Sequence, residues 1–335
     1  MHDLSQRVRQ LAASQGFDRV GILPVYALQD ERQRLYQWLA AGHHAGMDWM
    51  SRHGDIRLDP SKLFPQAQSV VCVAINYYPG EPKSHQIIDP QEASGDQQVQ
   101  TKIARYALGA DYHRLIRRKL RRVLAALQAE YPDQNIQGRA LCDSAPVLER
   151  ALAERAGIGW RGKHGLTITP TMGSWVFLGE LLLTVPLSSD QNDLTVDRCG
   201  RCTRCIEACP TDAILPTRSV DARKCIAYWT IEAHEAHIPE PISHHQNGWV
   251  FGCDICQEVC PWSLKLETQT TIEDWQHPEY SHAPPSYWLE MSEAAFQEKF
   301  AQTPLRRTGL TRLQRNARAV LASKTPGVSE SILKR

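Results

Sequence analysis

The segment SVVCVAINYY (69–78) is apolar and β-branched, which predicts a buried strand. HRLIRRKLRRVLAALQAE (113–130) reads as an amphipathic helix with Leu115, Ile116, Leu120, Val123, Leu124 and Leu127 on one stripe. Leu4, Val8 and Leu11 stand at helical spacing near the start. PVLERALAERAG (146–157) predicts a helix with Pro146 in its first turn and Gly157 as C-cap. Strands GLTITP and SWVFLGELLLTV follow, the second interrupted by Gly179 and Glu180 and so a buried strand rather than a membrane span. PLSSDQNDLTVD (186–197) reads as a polar linker, and EAAFQEKFA and LTRLQRNARAVLAS as helices of the tail. The expected organisation is a mixed α and β region over 1–187, a cysteine-rich domain over 188–268 and a helical segment over 269–335.

Composition narrows this little. A chain of 335 residues with 42% hydrophobic content can bury a core and suggests about two domains on the usual length prior. The formal net charge of +1 gives no global pull towards nucleic acid, so any basic patch is local. No run reaches 18 apolar residues and the start lacks an apolar signal region, which predicts a cytoplasmic protein with no membrane contact.

The cysteines change the picture. Eight of the ten lie between Cys199 and Cys260. CGRCTRCIEACP is C-x2-C-x2-C-x3-C-P, and CDICQEVCP closes a second set begun by Cys225. This is the bacterial two-cluster iron–sulfur pattern, in which three closely spaced thiolates wrap one cubane and the fourth reaches the other. The predicted ligation is crossed: Cys199, Cys202, Cys205 and Cys260 for one [4Fe–4S] cluster, and Cys209, Cys225, Cys253 and Cys256 for the other. Pro210 and Pro261 turn the chain out of each site. Structural zinc favours separated C-x2-C pairs, and disulfide scaffolds suit small secreted domains. The long insert after Cys225 is expected to leave the cluster domain and touch another part of the molecule.

The chain resembles the epoxyqueuosine reductases. The resemblance rests on GHHAGMDWMSRHGDIRLDP, ARYALGADYHRL, DSAPVLERALAERAGIGWRGKHG, GSWVFLGELLLT and VDARKCIAYWTIE, together with both cysteine runs. It implies an α+β fold: a nitroreductase-like cobalamin-binding α/β domain, a ferredoxin-like double-cluster domain and a short C-terminal helical extension. It also implies two [4Fe–4S] clusters, cobalamin, and reduction of the epoxide of epoxyqueuosine at the wobble position of tRNA. The expected partners are that tRNA and a flavodoxin- or ferredoxin-type electron donor, with the protein itself a monomer. Rival readings are a reductive dehalogenase-like enzyme on a small molecule and a two-cluster electron carrier.

Opening an epoxide leaves an alkoxide that needs a proton, and the family motif makes Asp143 the candidate acid. Such a role asks for a raised pKa; the plainer reading of Asp143 or Ser144 is a helix N-cap. Asp111-Tyr112-His113 begins like a cobalt-ligating motif, but Ile116 stands where it needs glycine, so His113 is rejected as a ligand. The resemblance extends the corrin-binding candidates to Arg57, Ala107, Lys163, His164, Thr167, Thr169, Ser174 and Leu178. Each has an ordinary alternative: surface arginine, packed small residue, turn or strand position. Cys72 and Cys142 read as buried inert thiols. For RNA the candidates are Lys224, Ala227, Arg306, Arg307, Arg312 and Arg315, with the basic face of 114–122 as a solvated helix alternative.

Overall fold

The computed structural model describes residues 2–80, 99–189, 196–265, 268–273, 275 and 278–323. Residues 190–195 of the expected linker and 324–335 of the tail lie outside the described residues. A four-stranded sheet organises the first half: β1 (Arg19–Pro24), β2 (Ser69–Asn76), β3 (Gly138–Leu141) and β4 (Val176–Leu183), in the order β1-β2-β4-β3. Every neighbouring pair is antiparallel, with Cys72 opposite both Gly21 and Glu180, and Glu180 also opposite Leu141.

All eight residues of β2 are buried because the sheet is covered on both faces. Val71, Val73 and Ile75 pack with helices α1 (His2–Ser14) and α3 (Tyr112–Glu130). Val70, Cys72 and Ala74 point the other way, to α2 (Gln29–Ala40) and α4 (Glu149–Arg155). The stripe read on α3 is its buried face: Ile116, Leu120, Val123 and Leu127 are enclosed, and Leu115 and Leu124 pack at the margin. Gly179 lets α3 lie this close, since a Cβ there would stand 2.5 Å from Ile116 Cγ2.

One expected helix starts late. Pro146 lies outside α4, which begins at Glu149 with Leu148 as N-cap and no side-chain cap. Proline pushes Ala145 out of helical space, and Asp143 takes a left-handed φ of 53°. Neither Asp143 nor Ser144 caps the helix.

The insert after Cys225 does leave the cysteine loops. It forms α5 (Ile226–Ile231) and β5 (Trp249–Phe251), and β5 pairs in parallel with Lys102–Ile103. The tail helices α6 (Glu293–Phe300) and α7 (Leu310–Ser323) close over this strand in a third core containing Val250, Phe251, Trp288, Phe296 and Phe300. Among the described residues, no helix is long and apolar enough to cross a membrane.

Candidate active site and cysteine centres

Asp143 sits on the turn between β3 and α4, its side chain 44% exposed. Its Oδ2 accepts from Tyr112 Oη at 2.9 Å and contacts His113 Nε2 at 2.8 Å. The other ring nitrogen of His113 contacts Asp111 Oδ1 at 2.7 Å. With both nitrogens engaged by carboxylates, His113 is not free to ligate a metal. Burial works against its cation, but the hydrogen bonds and charges of Asp111 and Asp143 outweigh this and raise its pKa to about 9. For Asp143 burial pulls upward, yet His113, then Tyr112 and the charge of Arg307, hold it below the usual carboxylate range. The raised pKa expected of a catalytic acid belongs to a carboxyl buried against corrin and substrate; with His113 and Tyr112 as its neighbours the shift runs downward. The two opposite shifts favour a His113 imidazolium paired with an Asp143 carboxylate.

Behind Asp143 lie two further carboxyls, half-buried Glu149 and buried Glu180. The Asp143 N–H donates to Glu149 Oε1. Glu180, fully buried on β4, is pushed well up by burial and by the neighbouring Glu149. Glu149 is itself raised to about 7 by burial and by Asp143. Sequence reading took Glu180 only as an interruption of an apolar strand and missed Glu149, although both lie within segments that carried the resemblance.

The structure brings the first cysteine set together. Cys199, Cys202, Cys205 and Cys260 line one cavity of about 150 Å³, with Lys163, His164, Ile168, Arg198, Pro261 and Trp262. Burial raises the Cys205 thiol to about 11, with Cys260, Cys199 and Cys202 adding to the effect. Burial likewise drives Cys256 well up, reinforced by Cys253, Cys225 and Cys209, so the second set also converges across the crossed pairing. Four mutually repelling thiolates need a cationic centre between them, which iron supplies. Among the described residues no group of three His, Cys, Asp or Glu side chains is arranged for a single metal ion. Asp254, between two ligands of the second set, accepts from the Arg105 backbone N–H at 2.7 Å and lies 3.5 Å from its guanidinium. This ties that loop to the segment before α3.

The corrin-binding candidates divide. Arg57 is buried beneath Trp49, with its charge centre 5.1 Å from the ring, and close enough to Asp143 to feel its charge. Lys163 Nζ donates to the carbonyls of Gly200 and Cys202, both at 2.8 Å, and so braces the first cysteine loop. His164 Nδ1 accepts from the Leu166 N–H, leaving Nε2 as the donor of the neutral ring, buried and without a partner among the described residues. Thr167 Oγ1 is likewise buried and unpartnered. Leu178 is half-buried on β4, where its carbonyl accepts from the Cys142 thiol. Three further candidates have side chains engaged within the protein. Ala107 is fully enclosed in the third core, Thr169 Oγ1 accepts from the Met172 N–H within its own turn, and Ser174 is buried against Ser263 at 3.1 Å. Gly173 allows this last approach, since a Cβ there would stand 2.7 Å from Ser263 Cα. Cys72 and Cys142 are buried, as expected.

The arginines also divide. Arg306 is exposed, and Arg307 is exposed and paired with Glu232 at 2.8 Å. Lys224 is exposed and Ala227 half-buried in the first turn of α5. Arg315 is only 8% exposed and donates to the carbonyls of Trp229, Ala233 and Glu235. Arg312 donates to those of Ile231, Arg307 and Thr308. Both tie α7 to the insert; Arg315 commits all five of its N–H groups, two of them to Asn316 Oδ1, whereas the three bonds of half-buried Arg312 leave two of its N–H groups over.

A family model described as "Epoxyqueuosine reductase QueG, DUF1730" matches residues 57–144, and one described as "4Fe-4S double cluster binding domain" matches 198–263. An epoxyqueuosine reductase of Cyclobacterium marinum is 41% identical over 93% of this chain and 95% of its own. One of Synechocystis is 41% identical over 90% and 100%. A structure of epoxyqueuosine reductase with an epoxyqueuosine-modified tRNA-Tyr stem loop superposes with a TM-score of 0.85 at 28% identity, covering 96% of this chain and 81% of that one. The structure of the Bacillus subtilis enzyme with its catalytic loop swung out of the active site gives 0.84 at 29%, covering 96% and 82%. The chain is thus an oxidoreductase with a double iron–sulfur domain, and it belongs to the epoxyqueuosine reductase family.

Proposed function

We propose that the protein reduces the epoxide of epoxyqueuosine, at the wobble position of a tRNA anticodon, to the alkene of queuosine. The observation that carries this reading is the Asp111–His113–Asp143 chain, a proton store ending in a half-exposed carboxylate on the family's motif. The solved relative with a modified tRNA stem loop supports an anticodon arm as substrate. The reaction consumes two electrons and two protons and releases water. Cysteine sets spaced for two cubanes suit delivery of electrons singly.

The resemblance implies cobalamin, which when bound would supply a strong reductant beside the epoxide. The chain's own residues fit such a group. Arg57 Nε, His164 Nε2 and Thr167 Oγ1 are buried polar atoms without partners among the described residues. Leaving such groups unpaired costs about 1–3 kcal/mol each, so a ligand rich in amide and phosphate oxygens would relieve them. Asp143 then orients the departing oxygen. A proton crosses from His113 Nε2 through the Asp143 carboxyl to that oxygen, and the second enters from solvent. Tyr112 holds Oδ2 in register.

Asp143→Asn tests the reading. The variant is expected to keep its iron and cobalamin while turnover falls by about 10²–10⁴-fold, the usual scale of general acid catalysis. Near-normal turnover would remove Asp143 from the mechanism.

A further inference from the structure

The two cysteine sets stand in different surroundings. Gly252, next to Cys253 of the second set, lies against Tyr106, since a Cβ there would stand 3.6 Å from Tyr106 Cε1. Tyr106 lies edge-on to Tyr112 at 6.0 Å between ring centroids, and Tyr112 bonds Asp143. The second set therefore adjoins the reacting end of the molecule. The first set has a different lining: Cys199 and Cys260 pack with Trp160, Ile168 and Trp262, and exposed Arg198 borders their cavity.

Around that cavity the surface is basic and apolar at once. Arg198, Arg201, Arg204 and Lys265 are all exposed. The charges of Arg198 and Lys265 lie 5.9 and 5.7 Å from the centroid of the Trp262 ring. Leu264 is 61% exposed and Val196 72%, two of the four exposed large hydrophobics among the described residues. Of the acids in these two segments, Asp197 is paired with Arg218 and Glu207 is bonded to Thr203 Oγ1. In a chain of net charge +1 this is a local concentration of positive charge.

We propose that this face, centred on Trp262 and Leu264 and ringed by Arg198, Arg201, Arg204 and Lys265, is the docking surface for a small acidic one-electron carrier protein. The proposal rests on the reading that both cysteine sets hold clusters. Each encounter oxidises the carrier by one electron and reduces the outer cluster by one, so each epoxide needs two encounters. Brief electron-transfer complexes bury little area and depend on charge to steer the encounter, which suits an apolar centre inside a basic rim. RNA phosphates are also drawn to arginine. However, the substrate base must reach Asp143, where Arg307 already supplies positive charge, and the cavity of the first set opens among these basic residues instead.

The test uses cluster-loaded enzyme and the triple variant Arg201→Glu, Arg204→Glu, Lys265→Glu. Cluster reduction is followed by bleaching of the charge-transfer absorption. The reductants are reduced flavodoxin, reduced plant-type ferredoxin and photoreduced deazaflavin, the last a small uncharged reductant. The readout is the ratio of the carrier rate to the deazaflavin rate. The ratio should fall at least tenfold in the variant, and the wild-type carrier rate should drop with salt while the variant's does not. The neutralised variant Arg201→Gln, Arg204→Gln should give an intermediate ratio. An unchanged ratio in both variants overturns the proposal, whether both rates hold or both fall. So does wild-type enzyme that neither carrier reduces, or a variant that loses affinity for a tRNA stem loop while keeping its ratio. Wild-type enzyme with no bleaching under deazaflavin would instead refute the clusters themselves.

Discussion

At the residue scale, protonation is set by partners that sequence proximity does not announce. Asp143 has the sequence setting of a catalytic acid; His113, thirty positions earlier, pulls its pKa down while its own is raised to about 9. The pH dependence follows from the direction of that shift. A histidine raised from 6.5 to about 9 contributes stability that is fully present below 6.5 and lost as pH rises through about 9. Turnover should fall over the same alkaline limb, since the proton store empties there. His113→Gln should lower turnover at neutral pH and abolish that limb, as read from the pH profile of the single-turnover rate. A wild-type limb that survives in the variant would assign the proton to another group. The double-cluster domain, by contrast, was legible in the cysteines, because cluster ligation is a spacing requirement within short loops.

At the scale of elements, periodicity was a sound guide where packing decides. β2, α3, α6 and α7 all lie where apolar pattern puts them, and Gly157, with φ 72°, follows the end of α4 as a helix-terminating glycine should. Pattern misled at the start of α4, where Pro146 and the left-handed Asp143 build a turn that presents a carboxyl rather than a cap. The crossed pairing of the cysteine loops is an element-level expectation with its own check. Cys260→Ser should perturb the cluster wrapped by 199–205, and Cys209→Ser the one wrapped by 253–256. Each variant should lose up to half of the roughly eight irons that two cubanes hold. Iron analysis with electron paramagnetic resonance of each variant distinguishes this from uncrossed ligation, which would exchange the two outcomes.

At the scale of the whole molecule, the insert after Cys225 binds the parts together. Its strand pairs with Lys102–Ile103, its helix carries Tyr228, whose hydroxyl accepts from the Gly46 N–H at 2.9 Å, and its carbonyls hold Arg312 and Arg315 of the tail. The tail's division into arginines held by backbone carbonyls and exposed ones could not be read from charge, because the acceptors lie some eighty residues away. It predicts different phenotypes. Replacing Arg306 and Arg307 by Ala should weaken tRNA binding and reduce the slope of log affinity against log salt by about 0.7–0.9 for each phosphate no longer neutralised. Arg315→Ala should instead destabilise the fold by about 2–4 kcal/mol, since it strands buried acceptors. Binding titrations at several salt concentrations and denaturant melts separate the two. The central claim is the reduction itself. The most direct measurement is mass analysis of nucleosides from epoxyqueuosine-containing tRNA after incubation with cluster-loaded enzyme, cobalamin and a reductant. Conversion of epoxyqueuosine to a nucleoside lighter by one oxygen, abolished in the Asp143→Asn variant, is the predicted result. Epoxyqueuosine recovered unchanged from enzyme whose clusters and cobalamin are intact would contradict it.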